Sequence, residues 1–159
     1  MSAPEPALEA RARALAIDAR WDDVLAMAIE ALAAESGTLH LLGRDGQLHL
    51  AASRGIPDRV LDTVRTIPVG KGMAGLAVER RRPVDACNIQ TDTSGDVRPG
   101  ARATGLQGSI VVPLLDGTTP YGALGVGTRR ERTFDADEQN RLLGIGRVVA
   151  AVLAGSHPA

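Results

Sequence analysis

A glycine-rich segment at residues 67–84, IPVGKGMAGLAVERRRPV, constrains the fold of this chain more than any other stretch. Three glycines, Gly70, Gly72 and Gly75, loosen the backbone, and the apolar spacing after them predicts a short helix that ends before Pro83. No GxxxxGKS/T phosphate motif is present. We therefore interpret the segment as a tight turn that seats a helix against a sheet. The alternative, an anion or a ligand carbonyl bound at the first turn of this helix, stays open.

The composition favours one folded domain in a reducing compartment. A chain of 159 residues, 44% of them hydrophobic, can bury a core without a disulfide or a structural metal. Cys87 is the single cysteine, which excludes an internal disulfide and any multi-cysteine zinc site. We therefore expect a cytoplasmic protein with no metal and no cofactor.

Charge and hydropathy argue against two classes of partner. The formal net charge of −1 gives no attraction to nucleic acid, and no stretch approaches the ~20 apolar residues of a membrane helix. The aromatic residues are Trp21, Tyr121 and Phe134, which disfavours a pocket built from stacked rings. We expect neither nucleic acid nor a membrane as a partner.

Helical periodicity dominates the first part of the chain. Residues 4–19 predict one helix, and residues 22–35 predict a second one that Ser36-Gly37 ends. Two strand patterns at residues 38–42 and 47–53 flank a GRDG turn and predict a β-hairpin.

The register of this hairpin decides whether His40 and His49 face each other. With a four-residue loop, His40 lies opposite His49, whereas with Asp45-Gly46 alone as the turn it lies opposite Ala51. Only the first register pairs the imidazoles, and no third ligand lies nearby in sequence to complete a metal site. We predict two solvent-facing histidines and leave both registers open.

Two later runs have the pattern of central strands. Residues 109–115 are nearly continuous Ile, Val and Leu, although Pro113 favours an edge or a strand end. Residues 121–128 alternate, so that one face carries bulky residues and the other is nearly bare. We predict that the closing helix covers the bare face, and we keep a bound ligand touching the backbone as the alternative. The bare face consists of Ala123, Gly125 and Gly127.

The closing helix begins at a strong start signal, Asp135 followed three residues later by Glu138. Its apolar residues form two stripes, one to cover the sheet and one for a neighbouring subunit, which the first helix could join. We predict a homodimer. Its interface is predicted to contain Leu8, Leu15, Leu142, Ile145, Val149 and Val152.

Residues 90–107 are rich in Thr, Ser, Gly, Asp and Pro and show no clear period. Aperiodic stretches of this length inside a compact domain are usually functional or mobile, so we predict a lid over a ligand. Arg98 and Arg102 are the candidates for binding an anionic group. We interpret the arginines at 80–82 and 129–130 as solvated ends of elements.

Taken in order, these segments resemble a GAF domain. The residues that carry the likeness are SRGI at 53–56, IPVGKGMAGLA at 67–77, RPV at 82–84, SIVVPL at 109–114, YGALGV at 121–126 and FDADE at 134–138. Each segment is degenerate alone, but the ordered set is specific and covers nearly the whole chain.

The resemblance implies an α/β (α+β) fold with a GAF/PAS-like central antiparallel sheet of five or six strands. Terminal helices lie on one face, and short helices and a ligand loop lie on the other. We divide the chain into an N-terminal, dimer-forming helix at residues 1–20, a GAF domain at 21–154 and a flexible tail at 155–159. Ligands of such domains lie between the sheet and the second layer. The predicted ligand-binding residues are Met73, Cys87, Asn88, Arg98, Arg102, Leu106, Ser109 and Val111.

The marks of specialised family members are mostly missing. Thr128-Arg129 replaces the Asn-Lys pair of cyclic-nucleotide-binding members, and Cys87 is followed by Asn88 rather than by the His common in bilin-bearing members. Free methionine sulfoxide reductases, which the resemblance also includes, need a nucleophilic and a resolving cysteine, but Ala74 stands where that branch has a cysteine. We therefore expect no enzymatic activity.

These observations predict a sensory or signalling domain. It would bind an unidentified small molecule as a homodimer and act on a separate signalling protein. A ligand-free dimerisation or docking module is the alternative, and a free methionine-R-sulfoxide reductase is the third possibility.

Overall fold

The computed structural model describes residues 5–97 and 99–155. The helices are α1 (Glu5–Ile17), α2 (Trp21–Ala31), α3 (Asp58–Val64), α4 (Gly72–Arg80) and α5 (Ala136–Gly155). The strands are β1 (Ser36–Leu42), β2 (Gln47–Arg54), β3 (Thr66–Pro68), β4 (Val84–Ala86), β5 (Ser109–Asp116) and β6 (Thr119–Gly127). A 3-10 helix spans Pro99–Thr104. Residues 156–159 of the predicted tail lie outside the described residues, as does Arg98, and Gly155 is the last residue of α5.

Within the described residues, the strands form one antiparallel sheet of six in the order β3-β2-β1-β6-β5-β4. The central strands β1 and β6 pair from Ser36 opposite Gly127 to Leu41 opposite Gly122. The edge strand β4 pairs with the first three residues of β5. Pro113 lies beyond that pairing, where the missing amide costs no ladder hydrogen bond. The predicted antiparallel sheet is confirmed with six strands.

Helices α1, α2 and α5 cover one face of the sheet and enclose the larger core. Leu25 of α2, Leu124 of β6 and Ile145 of α5 meet there with almost no exposed surface. Helix α4 packs on the opposite face through Ala77 and Val78. The predicted arrangement, with terminal helices on one face and short helices and a loop on the other, is confirmed.

The larger core corrects the predicted dimer interface. Leu142, Ile145 and Val149 have no exposed surface in a single chain, and Leu8 is 8% exposed. Because these side chains pack inside one subunit, they cannot contact a second one, and their assignment to an interface is wrong. The other two predicted residues, Leu15 and Val152, are partly buried beside this core.

Helix α2 ends earlier than the sequence predicts. Its last residue is Ala31, the chain turns through Ala33 at a φ of 51°, and Ser36 already belongs to β1. The prediction that Ser36-Gly37 ends the helix is therefore wrong. Gly37 is needed for close packing instead, because a Cβ there would lie 2.5 Å from the Gly125 carbonyl oxygen.

The β1–β2 hairpin has neither of the two predicted registers. The amide of Gly43 donates to the carbonyl of Gln47 at 2.8 Å, and Gly46 adopts a φ of 77°, which makes a three-residue loop. His40 consequently lies opposite Leu50, and a bulge between Leu39 and His40 shifts the remaining pairs by one residue. Both predicted registers are wrong because the glycine at the end of the loop allows the left-handed conformation.

The start of α5 is as predicted. The amide of Glu138 donates to Asp135 Oδ1 at 2.8 Å, and the amide of Asp135 donates to Glu138 Oε1 at 3.0 Å. The two residues therefore satisfy two backbone amides reciprocally at the first turn. This cap fixes where the chain enters the helical layer.

Candidate ligand-binding site

A cavity of about 150 Å³ lies between the sheet and the layer formed by α3, α4 and the 87–107 loop. Strand residues form its floor, and the helices and the loop form its roof. The floor residues are Ser36, Gly37, Thr38, His40, Ile67, Ser109, Val111, Gly125, Val126 and Gly127. The roof residues are Ile56, Val60, Val64, Met73, Ala74, Ile89, Ala101, Thr104 and Leu106.

The bare face of β6 forms part of the cavity floor. Leu124 and Val126 pack into the core with α5, so Gly125 and Gly127 point the other way. A Cβ at Gly125 would lie 2.9 Å from Val111 Cγ2, and one at Gly127 would lie 2.9 Å from the Ser36 hydroxyl oxygen. The prediction that the closing helix covers this face is wrong. The strand alternation placed α5 against the bulky face instead.

The hydroxyl groups of the lining donate their hydrogens within the wall. Ser36 donates to the Gly127 carbonyl at 3.2 Å, and Thr104 donates to the Ala101 carbonyl at 2.7 Å. Ser109 makes a longer bond of 3.4 Å to the Val126 carbonyl. These oxygens therefore keep only acceptor lone pairs for a bound molecule.

His40 is the most unusual residue of the lining. It is 1% exposed, and its Nε2 lies 2.7 Å from the Val64 carbonyl oxygen at the end of α3. Because a carbonyl can only accept, Nε2 carries the hydrogen and the neutral ring leaves Nδ1 as an acceptor. Nδ1 is buried and has no hydrogen-bond partner among the described residues.

Burial lowers the pKa of His40 below its ordinary value of 6.5, and the bond to the Val64 carbonyl opposes this shift only in part. The imidazole is therefore neutral at neutral pH. The prediction of two solvent-facing histidines is wrong for His40, whereas His49 is exposed and bonds Asp45 at the turn. β1 is a central strand with a layer on each face, and this position buries the His40 side chain. The residues around His40 carry no pattern that signals it.

The roof loop is held in place by polar contacts. Arg102 donates from Nε to the Ile89 carbonyl at 3.3 Å and from Nη2 to the Asp92 carbonyl at 3.1 Å. Gln90 donates to the Leu106 carbonyl at 2.7 Å. Arg102 thus ties the loop to itself. Its guanidinium does not line the cavity in this structure.

The structure brings together part of the predicted site. Met73, Leu106, Ser109 and Val111 line the same cavity. Cys87 is exposed. Asn88 Nδ2 donates to Glu131 Oε2 at 3.0 Å, and Asn88 Oδ1 accepts a hydrogen bond from the Gln90 backbone amide at 3.0 Å. Neither of these two residues contributes to the lining. Among the described residues, no cluster of His, Cys, Asp or Glu is placed to hold a metal ion.

A surface cleft adjoins the cavity beside the start of α3. Ile56, Thr104 and Leu106 line both spaces, and Arg129 stands at the outer side of the cleft. Gly55 and Gly105 lie next to these shared residues at φ values of 72° and 76°. The three shared side chains therefore separate the cavity from the cleft.

Comparison with known proteins identifies the family. The profile of the GAF domain family matches residues 15–154. The chain belongs to the GAF domain family. The match covers the whole sheet and the helices from α2 almost to the end of α5, and the six-stranded sheet with five helices is the GAF fold. No curated protein sequence matches the chain.

Solved structures of several proteins resemble most of this domain. The GAF domain of an Acinetobacter phosphoenolpyruvate-protein phosphotransferase superposes with a TM-score of 0.78 at 19% identity, covering 99% of this chain and 96% of the other. A free methionine-R-sulfoxide reductase from Neisseria meningitidis in complex with its substrate gives 0.75 at 20%, covering 96% and 87%. A domain of a putative sensor histidine kinase from Sinorhizobium meliloti gives 0.66 at 16%, covering 84% and 87%. These likenesses establish the fold.

The neighbours of this GAF domain include both signalling proteins and reductases, so the fold alone does not separate the two. Among the described helices, none combines the length and the apolarity required to cross a bilayer.

Proposed function

We propose that this GAF domain is a cytoplasmic sensory module that binds a small molecule in the cavity between the sheet and the roof loop. The observation that carries the proposal is the size of that cavity, about 150 Å³. Protein interiors are normally close-packed, and a water molecule occupies only about 30 Å³. A space of about 150 Å³ is therefore larger than one water molecule needs, and it is partly open to solvent.

The alternative, a docking module whose pocket is filled by its own side chains, agrees less well with this geometry. Gly125 and Gly127 leave part of the floor without side chains, and Ala74 and Ala101 contribute only methyl groups to the roof. A larger residue at Ala74 or Ala101 would reduce the space, whereas a Cβ at either glycine would meet the wall. The residues present keep it open.

Strand β6 supplies the route by which a ligand would alter the helical layer. Gly125 faces the cavity, while Leu124 and Val126 contact the core of α1, α2 and α5. A ligand that binds one arrangement of β6 better than another shifts the population toward it, and α5 follows. The outer side of α1 and α5 would pass the change to a separate signalling protein.

We further propose that the domain is a homodimer through the outer side of α1 and α5. Val148 is half-buried in a groove between the two helices, flanked by Glu9, Arg13 and Arg147. Sedimentation of the wild type should show a dimer. Val148→Glu should yield a folded monomer, while Asp85→Lys on the exposed side of β4 should stay dimeric. A monomeric wild type would contradict this assignment.

Mass spectrometry tests whether the domain binds a small molecule. The purified domain, measured under native conditions after exposure to a cell extract, should carry additional mass that disappears on denaturation. Ala74→Leu, which occupies the cavity, is the matched variant and should carry none. Identical native and denatured masses of the wild type, together with no thermal stabilisation by the extract, would contradict a sensory role.

A further inference from the structure

We infer that the cavity takes a small, uncharged, mostly apolar molecule with one hydrogen-bond donor, and that this donor pairs with Nδ1 of His40. This assignment rests on the proposed ligand-binding function and adds the chemical class of the ligand.

The composition of the lining indicates that the ligand is uncharged. None of the described lining residues is Asp, Glu, Lys or Arg. Arg102 is engaged with the carbonyls of Ile89 and Asp92, and Arg129 belongs to the adjoining cleft. A carboxylate, a phosphate or an ammonium group would therefore lose its water without gaining a partner of opposite charge. We therefore expect amino acids and nucleotides not to bind in the cavity.

The need for a donor follows from the direction of the hydrogen bonds. The hydroxyls of Ser36, Thr104 and Ser109 already donate to main-chain carbonyls. His40 offers an unpaired acceptor at Nδ1, because Nε2 donates to Val64. A buried acceptor without a partner is costly, and a ligand donor would remove that cost. Thr38 is the remaining hydroxyl of the lining, and the experiment below separates it from His40.

Access to Nδ1 requires a small movement. The atom is closed to water in this structure, so a donor reaches it only when the ring or the adjacent wall shifts. Met73 lines the same cavity and has the most adaptable side chain of the lining. A cavity of about 150 Å³ has room for a molecule the size of benzene, so the ligand has about one ring.

The probes are phenol, toluene and benzoate, which share a ring and differ in one group. Their dissociation constants are measured by titration calorimetry at pH 7.5, where phenol is neutral and benzoate is charged. Phenol should bind the wild type at least as tightly as toluene, although its hydroxyl is more costly to remove from water. Benzoate should not bind.

His40→Phe keeps a ring at this position but removes both nitrogens. The ratio of the toluene to the phenol dissociation constant should fall at least about fivefold in this variant, since a buried hydrogen bond contributes about 1 kcal/mol. His40→Met serves the same purpose should His40→Phe fail to fold. His49→Phe, the same change at the exposed histidine of the hairpin, should leave the ratio unchanged.

Four results would overturn the assignment. They are an unchanged ratio in both His40 variants, loss of the phenol preference in Thr38→Val instead, tight binding of benzoate, and no binding of any probe. In each case the mass measurement still decides separately whether the domain binds a small molecule.

Discussion

Arg80 and Asp96 form a two-point ion pair that attaches the end of α4 to the loop above the cavity. Nη1 and Nη2 of Arg80 donate to the two carboxylate oxygens of Asp96 at 2.9 and 3.1 Å. The pair is the bidentate type that fixes geometry as well as charge. The ion pair therefore holds the roof of the cavity at a defined position. A mutation can remove the pair without changing a residue that lines the cavity.

Cutting this pair should loosen the roof without unfolding the domain. Arg80→Gln is expected to speed amide exchange in residues 88–97 and to accelerate ligand dissociation, with little change in the unfolding midpoint, because exposed pairs add little stability. Hydrogen exchange with mass spectrometry measures the first effect. Arg59→Gln on the outside of α3 is the control. Equal exchange in the two variants would contradict the attachment.

Acid should loosen the same roof. The hydrogen bonds from Arg80 hold the pKa of Asp96 below its ordinary value of 3.8. The contribution of the pair is therefore complete above pH 3.8 and is lost as the pH falls through the lower pKa of the folded state. Amide exchange in residues 88–97, corrected for its intrinsic pH dependence, should rise only below pH 3.8. Arg80→Gln should not show this rise.

His40 should make the stability of the domain depend on pH below about 6.5, at pH values above the titration of Asp45 and Asp96. Burial lowers its pKa below 6.5, so the unfolded chain binds the proton first. The contribution of neutral His40 to stability is fully present above about pH 6.5 and is lost as the pH falls through its lower pKa in the folded state. Urea unfolding midpoints should therefore decline less on acidification in His40→Phe than in the wild type or in His49→Phe. Parallel curves for all three proteins would argue against a buried neutral ring.

Filling the cavity should separate ligand binding from stability. Ala74 is half-buried in the roof, and leucine at this position extends into the empty space. Ala74→Leu should abolish the extra mass and the thermal shift, while the unliganded domain unfolds at the same temperature or higher. Ala136→Leu at the exposed start of α5 controls for added apolar surface. A variant that still binds would place the ligand elsewhere.

The cap of α5 should have a measurable cost when removed. Asp135→Ala deletes the acceptor for the Glu138 amide and should reduce the free energy of unfolding by about 1 kcal/mol. Asp137→Ala, an exposed first-turn residue, should have a smaller effect. Denaturant titration of the two variants provides the comparison, and equal losses would mean that the cap acts only through its charge.

Cys87 should be dispensable. The thiol is exposed, whereas Ala74 stands in the cavity where the resemblance to the reductases would place a cysteine. Cys87→Ser should leave the additional mass carried by the native protein, and any thermal shift, unchanged. Assays with free methionine-R-sulfoxide and a thiol reductant should show no turnover in either protein. Turnover that Cys87→Ser abolishes would instead establish an enzyme.

The sequence predicted the layers of this fold better than its local conformations. The apolar periodicity of α5 and its Asp135 cap are local signals, and both are reproduced. The β1–β2 register depended on the left-handed turn at Gly46 and on a bulge beside His40, which no pattern of side chains reveals. Strand β3, with three residues, was too short to leave a period.

The candidate site was predicted in part for a similar reason. Met73, Leu106, Ser109 and Val111 were assigned from the layer to which they belong, and they do meet. His40 was missed because a histidine in a short strand has no signature of burial. Arg102 was predicted as a ligand contact because of its charge, but its guanidinium donates to two carbonyl groups of its own loop.

The alternation along β6 has a mechanical consequence. Gly125 lines the cavity, and its neighbours Leu124 and Val126 pack against the helical layer, so the single strand β6 separates the cavity from the helices. A ligand that displaced β6 would therefore act on the helices directly, with no relay of intervening side chains. The surface that would contact the ligand and the surface that holds the helices are the two sides of one strand.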